Sequence, residues 1–94
     1  MPADVKLTDA QVQEGLKNLQ GWELRDGAIT KIYKFPGFKE ALGFVNRVAG
    51  LAESKDHHPD ILIQYNKVCL TLSTHSAKGL TEKDLALARL INSP

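Results

Sequence analysis

Residues 53–75 read ESKDHHPDILIQYNKVCLTLSTH. This stretch contains all the histidines of the chain, which are His57, His58 and His75. Apolar and polar side chains alternate on both sides of Asn66-Lys67, and an alternation interrupted by such a pair predicts a β-hairpin with its turn at those two residues. A hairpin brings its two ends together in space, so we expect His75 to return beside His57 and His58.

The chemistry predicted for this stretch is proton transfer near neutral pH, because imidazole is the side chain whose ordinary pKa suits that task. Pro59 disfavours helical geometry at His58, so a helix that precedes it should end at the two histidines. Glu53 lies one helical turn before His57, and its carboxylate is expected to accept a hydrogen bond from that imidazole and favour the protonated form. The pattern predicts one histidine as general acid and another as general base.

The same histidines suit other roles. A His-His pair at a helix end can cap the last helical carbonyls, and His75 can form a hydrogen bond within a loop. Three imidazoles and a water also make a catalytic zinc site. Adjacent histidines diverge, however, whereas paired metal ligands share one face of an element, so we expect no metal here. Asp56 and Asp60 are expected to be solvated.

The sequence before this stretch predicts a long amphipathic helix from residue 38 to about residue 56. Its apolar residues recur at spacings of three and four, and they are Phe38, Ala41, Leu42, Val45, Val48, Ala49 and Ala52. Phe44 and Leu51 lie off the centre of this stripe. One of these two is expected at the border of the stripe or at a subunit contact.

The remaining elements complete an α+β plan. Asp26-Gly27 predicts a first hairpin, and capping-box patterns at Thr8 and Thr81 predict an N-terminal and a C-terminal helix. The predicted order is α-β-β-α-β-β-α, with a four-stranded antiparallel sheet and three helices on one face. Apolar groups on the other face and open sheet edges predict a homo-oligomer.

Length and composition limit the class of protein. Ninety-four residues suit one domain spanning 1–94. With 43% hydrophobic and 24% charged residues, the chain is typical of a globular protein. Its net charge of +1 comes from scattered basic residues, which argues against direct nucleic-acid binding. The sequence contains no membrane-length apolar run or signal-peptide core, so we expect no membrane partner and a cytoplasmic location. The single Cys69 is expected to be buried and inert.

The spacing of the residues that could carry chemistry resembles the motif of the pterin-4a-carbinolamine dehydratase family. The motif elements are Glu53, three residues, His57-His58-Pro59, five residues, Tyr65, nine residues, His75, eight residues and Asp84. The resemblance covers roughly residues 20 to 92 and includes Trp22 and the segments 66–68, 74–75 and 79–81.

This resemblance implies a hydro-lyase that converts 4a-hydroxytetrahydropterin to quinonoid dihydropterin and water, in the recycling of tetrahydrobiopterin. It implies a pterin substrate, no cofactor, and a functional link to an aromatic amino acid hydroxylase. It also implies a homodimer or homotetramer. Some animal members act as a dimerisation cofactor for a homeodomain transcription factor, so the alternative function is a protein-interaction module, with or without dehydratase activity.

The resemblance also implies roles for individual residues. The catalytic residues are His57, His58 and His75. We assign proton transfer to His58 and His75, and binding and polarisation of the hydroxyl to His57, oriented by Glu53. The residues expected to bind or orient the substrate are Glu53, Trp22, Ser73, Thr74 and Asp56. Asp84 is expected to support the pocket or cap its helix.

Overall fold

The helices and strands follow the predicted order in the computed structural model, which describes residues 5–93. Their bounds are α1 Asp9–Leu16, β1 Glu23–Arg25, β2 Ala28–Lys34, α2 Phe38–Lys55, β3 Asp60–Gln64, β4 Lys67–Leu72 and α3 Glu82–Asn92. A short 3₁₀ turn, His75–Ala77, lies between β4 and α3. The fold is the predicted α+β arrangement, with helices packed on one face of an antiparallel sheet.

Within the described chain, the four strands form one antiparallel sheet in the order β1-β2-β4-β3. Strand β4 is interior: its Leu72 pairs with Ile29 of β2, and its Thr71 pairs with Asp60 of β3. The end of β4 therefore lies between the start of β2 and the start of β3. This order places the segment after β4 between the turn of the first hairpin and the segment that leaves α2.

The first hairpin turn matches the prediction and the second does not. Asp26 and Gly27 both have left-handed backbone conformations, with φ of 52° and 76°, as a tight two-residue hairpin turn requires. The second turn lies at Tyr65-Asn66, one residue earlier than predicted. Asn66 is held there by the end of β2, because its Nδ2 donates to the Phe35 carbonyl at 3.0 Å and its own carbonyl accepts from the Phe35 amide at 2.9 Å.

The face of the sheet that carries the helices forms the core. The alternation predicted for β4 is confirmed, since Val68, Leu70 and Leu72 are fully buried. Both predicted capping boxes are present, at Thr8 and at Thr81. From α3, the side chains buried against the sheet are Leu85, Leu87, Ala88 and Ile91.

Part of the stripe predicted for α2 is confirmed, since Ala41, Val48 and Ala52 are buried, but the buried face also extends to Phe44 and Leu51. Phe44 and Leu51 pack against the core, whereas Phe38 and Leu42 are 48% and 37% exposed. The ring of Phe44 packs on that of Tyr33 on β2, with 4.4 Å between the ring centroids. Among residues 5–93 no helix, α2 included, is long and apolar enough to cross a membrane.

Among residues 5–93, no helix or strand covers the opposite face of the sheet. On this face Ile32, Cys69 and Leu62 pair side by side across β2, β4 and β3. Ile32 and Leu62 are 62% and 54% exposed. Cys69 is only partly buried, contrary to expectation, because it belongs to this face and not to the core.

Candidate active site

The three histidines line one cavity, as the hairpin pattern predicts. The cavity has a volume of about 400 Å³ and is open to solvent on one side. Its lining residues are Asp56, His57, His58, Ser73, Thr74, His75, Ser76 and Lys83. The predicted catalytic residues are therefore brought together with three of the five residues predicted to bind or orient the substrate, which are Asp56, Ser73 and Thr74.

Backbone geometry at the end of α2 brings His57 and His58 to this cavity. Asp56 adopts a left-handed conformation, with φ of 49°, and turns the chain away from the helix axis. The amide of Asp56 donates to the carbonyls of Ala52 and Glu53, and the amide of His57 donates to that of Ala52 at 3.1 Å. Backbone amides thus cap the helix, and the imidazoles remain available for other contacts.

His57 is held by a buried carboxylate. Its Nε2 lies 2.6 Å from Oδ1 of Asp84, a residue with no exposed surface. The other carboxylate oxygen, Oδ2, accepts from the Thr74 hydroxyl at 2.8 Å and from the Thr81 amide at 3.0 Å. The hydroxyls of Thr74 and Thr81 lie 2.8 Å apart. A buried carboxylate needs such partners, and this arrangement fixes the orientation of the His57 ring.

The contact with Asp84 also selects a tautomer for His57. A carboxylate oxygen accepts hydrogen bonds, so the Nε2 that faces Asp84 carries the hydrogen. In the neutral ring the second nitrogen, Nδ1, is then an acceptor. His57 can therefore receive a hydrogen bond or a proton at Nδ1 while Asp84 keeps the ring in place.

Glu53 contacts His58 and not His57, so the prediction for this carboxylate was wrong. Its Oε2 lies 2.5 Å from Nε2 of His58, and both side chains are mainly exposed, at 77% and 54%. The spacing of one helical turn between Glu53 and His57 has no effect, because Asp56 has already left helical geometry. The two adjacent histidines thus have different carboxylate partners, one exposed and one buried.

Trp22 does not line the cavity, in contrast to its predicted role. It is 5% exposed, and its Nε1 donates to Oδ1 of Asn92 at 3.1 Å. The same oxygen accepts from Tyr33 at 2.7 Å and from Lys31 at 2.9 Å. This cluster joins the end of α3 to β2 and belongs to the packing of the core. Tyr65, the aromatic residue of the motif, is 68% exposed in the hairpin turn, at the opposite end of the hairpin from the histidines.

Burial changes the pKa of two groups in the Asn92 cluster. It raises the pKa of Tyr33 to about 12 and lowers the pKa of Lys31. Neither residue lines the histidine cavity. These shifts bear on stability at high pH and not on proton transfer by the histidines.

Two features of the cavity were missed at the level of sequence. Asp84 was assigned to support the pocket or cap its helix, and its direct contact with His57 was not predicted. Lys83 was not among the predicted site residues, although it lines the cavity from the first turn of α3. Across residues 5–93, no three His, Cys, Asp or Glu side chains come together in a way that could hold a metal ion.

The chain is similar to a family of known proteins over most of its length. Residues 5–93 match the family model described as Pterin 4 alpha carbinolamine dehydratase. Two relatives have names that assign them provisionally as pterin-4-alpha-carbinolamine dehydratases. The relative from Thermomicrobium roseum is 52% identical, over 89% of this chain and 90% of its own. That from Sulfurisphaera tokodaii is 45% identical, over 93% and 94%.

A solved structure has the same fold. It is titled transcriptional coactivator/pterin dehydratase, from Brucella melitensis, and it superposes with a TM-score of 0.89. It is 44% identical in sequence, and the alignment covers 93% of this chain and 95% of that one.

Proposed function

This chain belongs to the pterin 4 alpha carbinolamine dehydratase family, and on that premise we propose that it removes water from 4a-hydroxytetrahydropterin to give quinonoid dihydropterin, in the recycling of tetrahydrobiopterin. The observation that carries this proposal is the single cavity lined by all three histidines. The substrate is the species that an aromatic amino acid hydroxylase leaves behind, so the reaction would follow such an enzyme.

The reaction requires one acid and one base. A carbinolamine carries a hydroxyl and an amine nitrogen on the same carbon. In this substrate the carbon is C4a and the nitrogen is N5. As the C4a–O bond breaks, a proton delivered to the oxygen releases water. Removal of the N5 proton leaves its electron pair to form the C4a=N5 bond. The reaction as written balances without an oxidant, reductant or cofactor. Two imidazoles can perform both proton transfers.

We assign the proton transfers to His58 and His75 because both are exposed at the cavity and can exchange protons with water between turnovers. His57 suits binding and polarisation of the 4a-hydroxyl, since Asp84 holds its ring in one orientation. Glu53 would orient His58, and not His57 as the sequence predicts. Asp56 and Ser73 line the cavity and would contact polar atoms of the pterin, and Thr74 would act through Asp84.

The test is the rate at which freshly generated 4a-hydroxytetrahydropterin loses water, followed by ultraviolet absorbance. The purified chain is compared with His57→Ala, His58→Ala and His75→Ala, and with Gln13→Ala on α1 as a control at an exposed position. Each histidine variant is expected to be slower by roughly 10²-fold or more. A wild-type rate equal to the rate without protein would reject the dehydratase.

The interaction-module alternative is less well supported by the geometry. A binding surface has no need of a buried carboxylate with hydroxyl and amide partners behind one of its imidazoles, whereas catalysis needs that imidazole in a fixed orientation. We therefore favour the dehydratase as the function of this cavity.

We also propose that the chain forms a homodimer or homotetramer. Four apolar residues on α2 share one face of the helix, at spacings of four, three and four: Phe38, Leu42, Val45 and Ala49. Phe38 and Leu42 are exposed in the chain. An apolar stripe of this kind is suited to pack against the same helix of a second copy. The apolar row Ile32, Cys69 and Leu62 on the open sheet face is narrower than the stripe on α2. The neighbouring pair of residues on that face, Lys34 and Lys67, is charged.

A further inference from the structure

We propose that Leu7, in the segment that precedes α1, is a positioning residue for His75. Residues 6–8, which we call the N-terminal strap, hold the base of the loop that carries this histidine. The proposal rests on the proposed function, because that function makes His75 a proton-transfer group. No residue of the strap lines the histidine cavity, so a change in the strap would alter catalysis only through the loop.

The start of α1 fixes the direction of the strap. Leu7 precedes the N-cap residue Thr8, and Val12 is the fourth residue after that cap. Apolar side chains at these two positions are typical of a hydrophobic staple, which fixes how the chain enters a helix. Leu7 is partly buried and packs against the core, to which Val12 belongs. Thr8 is bonded to Gln11 through its amide and its hydroxyl. The strap is therefore held firmly at its C-terminal end.

The strap contacts two consecutive residues that precede α3. The amide of Leu7 donates to the carbonyl of Leu80 at 2.7 Å. The side chain of Lys6 lies against Gly79, where a Cβ atom would be only 2.7 Å from Cε of the lysine. Because glycine has no side chain, the aliphatic part of Lys6 covers its backbone directly. Gly79 and Leu80 are both buried, so this contact belongs to the packed interior.

One of these two residues also closes the loop that carries His75. Thr74 and Gly79 form an antiparallel bridge. In this bridge the amide of Thr74 donates to the carbonyl of Gly79 at 2.8 Å, and the amide of Gly79 donates to that of Thr74 at 3.4 Å. His75 directly follows Thr74, and its own carbonyl accepts from the amide of Lys78 at 3.1 Å. The bridge is the base of the loop, and the strap fixes one of its two sides.

The position of His75 matters for catalysis because proton transfer depends on a precise distance. His75 is exposed and lies in a short 3₁₀ turn, outside the main sheet and the three helices. The backbone of its loop therefore determines where the imidazole lies relative to His57 and His58. A misplacement of about 1 Å in an active site can cost roughly 10²-fold in rate. A strap that fixes the base of this loop thus contributes to the rate without contacting the substrate.

The first measurement compares three variants by steady-state kinetics, at a temperature where each is fully folded. Leu7→Ala removes the apolar contact of the strap with the core, and its kcat is expected to fall about tenfold while KM changes far less. Leu7→Met keeps an apolar side chain of similar volume and is expected to retain the wild-type kcat. Ile91→Val is the control for stability, because Ile91 is buried near the other end of α3. A wild-type kcat in Leu7→Ala, or an equal loss in Ile91→Val, would reject the positioning role.

The second measurement asks whether Leu7 acts through His75. If it does, Leu7→Ala has nothing left to misplace once the imidazole is gone. The double variant Leu7→Ala/His75→Ala is therefore expected to have the same kcat as His75→Ala alone, since two changes that act through one group are not additive. If Leu7→Ala slows His75→Ala as much as it slows the wild type, it acts on another group, and the positioning role for His75 is rejected.

The third measurement does not depend on turnover. Hydrogen exchange is followed at the amides of Thr74 and Lys78, which donate within the loop, and at that of Leu70 on the interior strand β4, which reports global unfolding. Relative to Leu70, both loop amides are expected to exchange faster in Leu7→Ala than in the wild type.

This measurement separates the two proposals. If the wild type shows no dehydration, the dehydratase proposal fails, and faster exchange in Leu7→Ala still supports the strap as the element that holds the loop. Unchanged exchange at Thr74 and Lys78 would reject the strap even where dehydration proceeds.

Discussion

The Nε2 atom of His57 lies 2.6 Å from Oδ1 of Asp84, although the two residues are 27 positions apart in the chain and belong to different elements. His57 follows α2, and Asp84 lies in the first turn of α3. The carboxylate has no exposed surface and is otherwise bonded to two threonines. A capping residue of one helix thus positions a histidine delivered by another.

Asp84→Asn is expected to reduce kcat by roughly 10- to 100-fold, an effect typical of residues that orient a catalytic group. If the amide oxygen keeps the threonine contacts, its NH₂ group faces Nε2 of His57 and favours the opposite tautomer. The stability loss is expected to be about 1–3 kcal/mol. The measurements are kcat for dehydration and the free energy of unfolding in urea.

Thr81→Ala is the control for this prediction. It removes a capping hydroxyl that does not contact His57 and is expected to cost about 1 kcal/mol of stability. Its kcat should change far less than that of Asp84→Asn. If the two variants lose kcat in proportion to their loss of stability, Asp84 has a structural role only.

Glu53→Gln is expected to lower kcat modestly, by about fivefold at most, and to leave stability almost unchanged. The pair with His58 is exposed, and exposed pairs contribute between zero and about 1 kcal/mol. Screening by salt should reduce the difference between variant and wild type. Glu14→Gln is a matched control, because Glu14 forms an equally exposed pair with Lys17 at 3.0 Å on α1. A loss of kcat as large as that of Asp84→Asn would contradict this prediction.

Local patterns were enough to predict the elements and the meeting of the histidines. The alternation around Val68 and Leu70, the left-handed pair Asp26-Gly27 and the box at Thr81 each depend on residues close together in the chain. The return of His75 follows from hairpin geometry alone. These features are the same in the folded chain because no contact with a distant residue changes the local conformation.

The predictions that failed depend on contacts between distant residues. Glu53 and His57 are spaced by one helical turn, but Asp56 between them has a left-handed conformation that ends the helix. The His57 ring contacts the carboxylate of Asp84, which is distant in sequence. The second turn shifts by one residue because Phe35 holds Asn66. No local spacing carries such information, so it becomes visible only once the chain has packed.

Trp22→Phe is expected to reduce the stability of the core without affecting substrate binding at the histidine cavity. The variant loses the hydrogen bond to Asn92 and some buried volume, so stability should fall by about 1–3 kcal/mol. Since Trp22 does not line the histidine cavity, KM for the pterin should be unchanged. Ser73→Ala, which alters the cavity wall, should raise KM with little effect on stability. Thermal unfolding and steady-state kinetics measure both effects, and a raised KM in Trp22→Phe would show that it contacts the substrate.

The double variant Phe38→Glu/Leu42→Glu is expected to shift the chain from oligomer to monomer, because it places like charges on the apolar stripe of α2. Analytical ultracentrifugation measures the mass in solution. Ile32→Glu, on the open sheet face, is the control and is expected to remain oligomeric. If only Ile32→Glu is monomeric, the interface lies on the open sheet face and not on α2. A monomeric wild type would reject the proposal of self-association.

Tyr33 is expected to make stability depend on pH in the alkaline range. Burial raises its pKa to about 12, above the ordinary value of about 10, so the folded chain holds the phenolic proton more tightly than the unfolded chain does. The contribution of Tyr33 to the free energy of unfolding is therefore complete below about pH 10 and is lost as the pH rises towards 12. Lys31 acts in the opposite direction, because burial lowers its pKa and deprotonation relieves the cost of burying its charge.

Tyr33→Phe removes this ionisation together with the hydroxyl that donates to Asn92 at 2.7 Å. At neutral pH the variant is expected to be less stable by about 1 kcal/mol. Between pH 10 and 12 it should lose less stability than the wild type, so the two curves should converge. Urea unfolding at a series of pH values measures this, with Tyr65→Phe as a control because that ring is 68% exposed. An equally steep alkaline loss in Tyr33→Phe would show that another group is responsible.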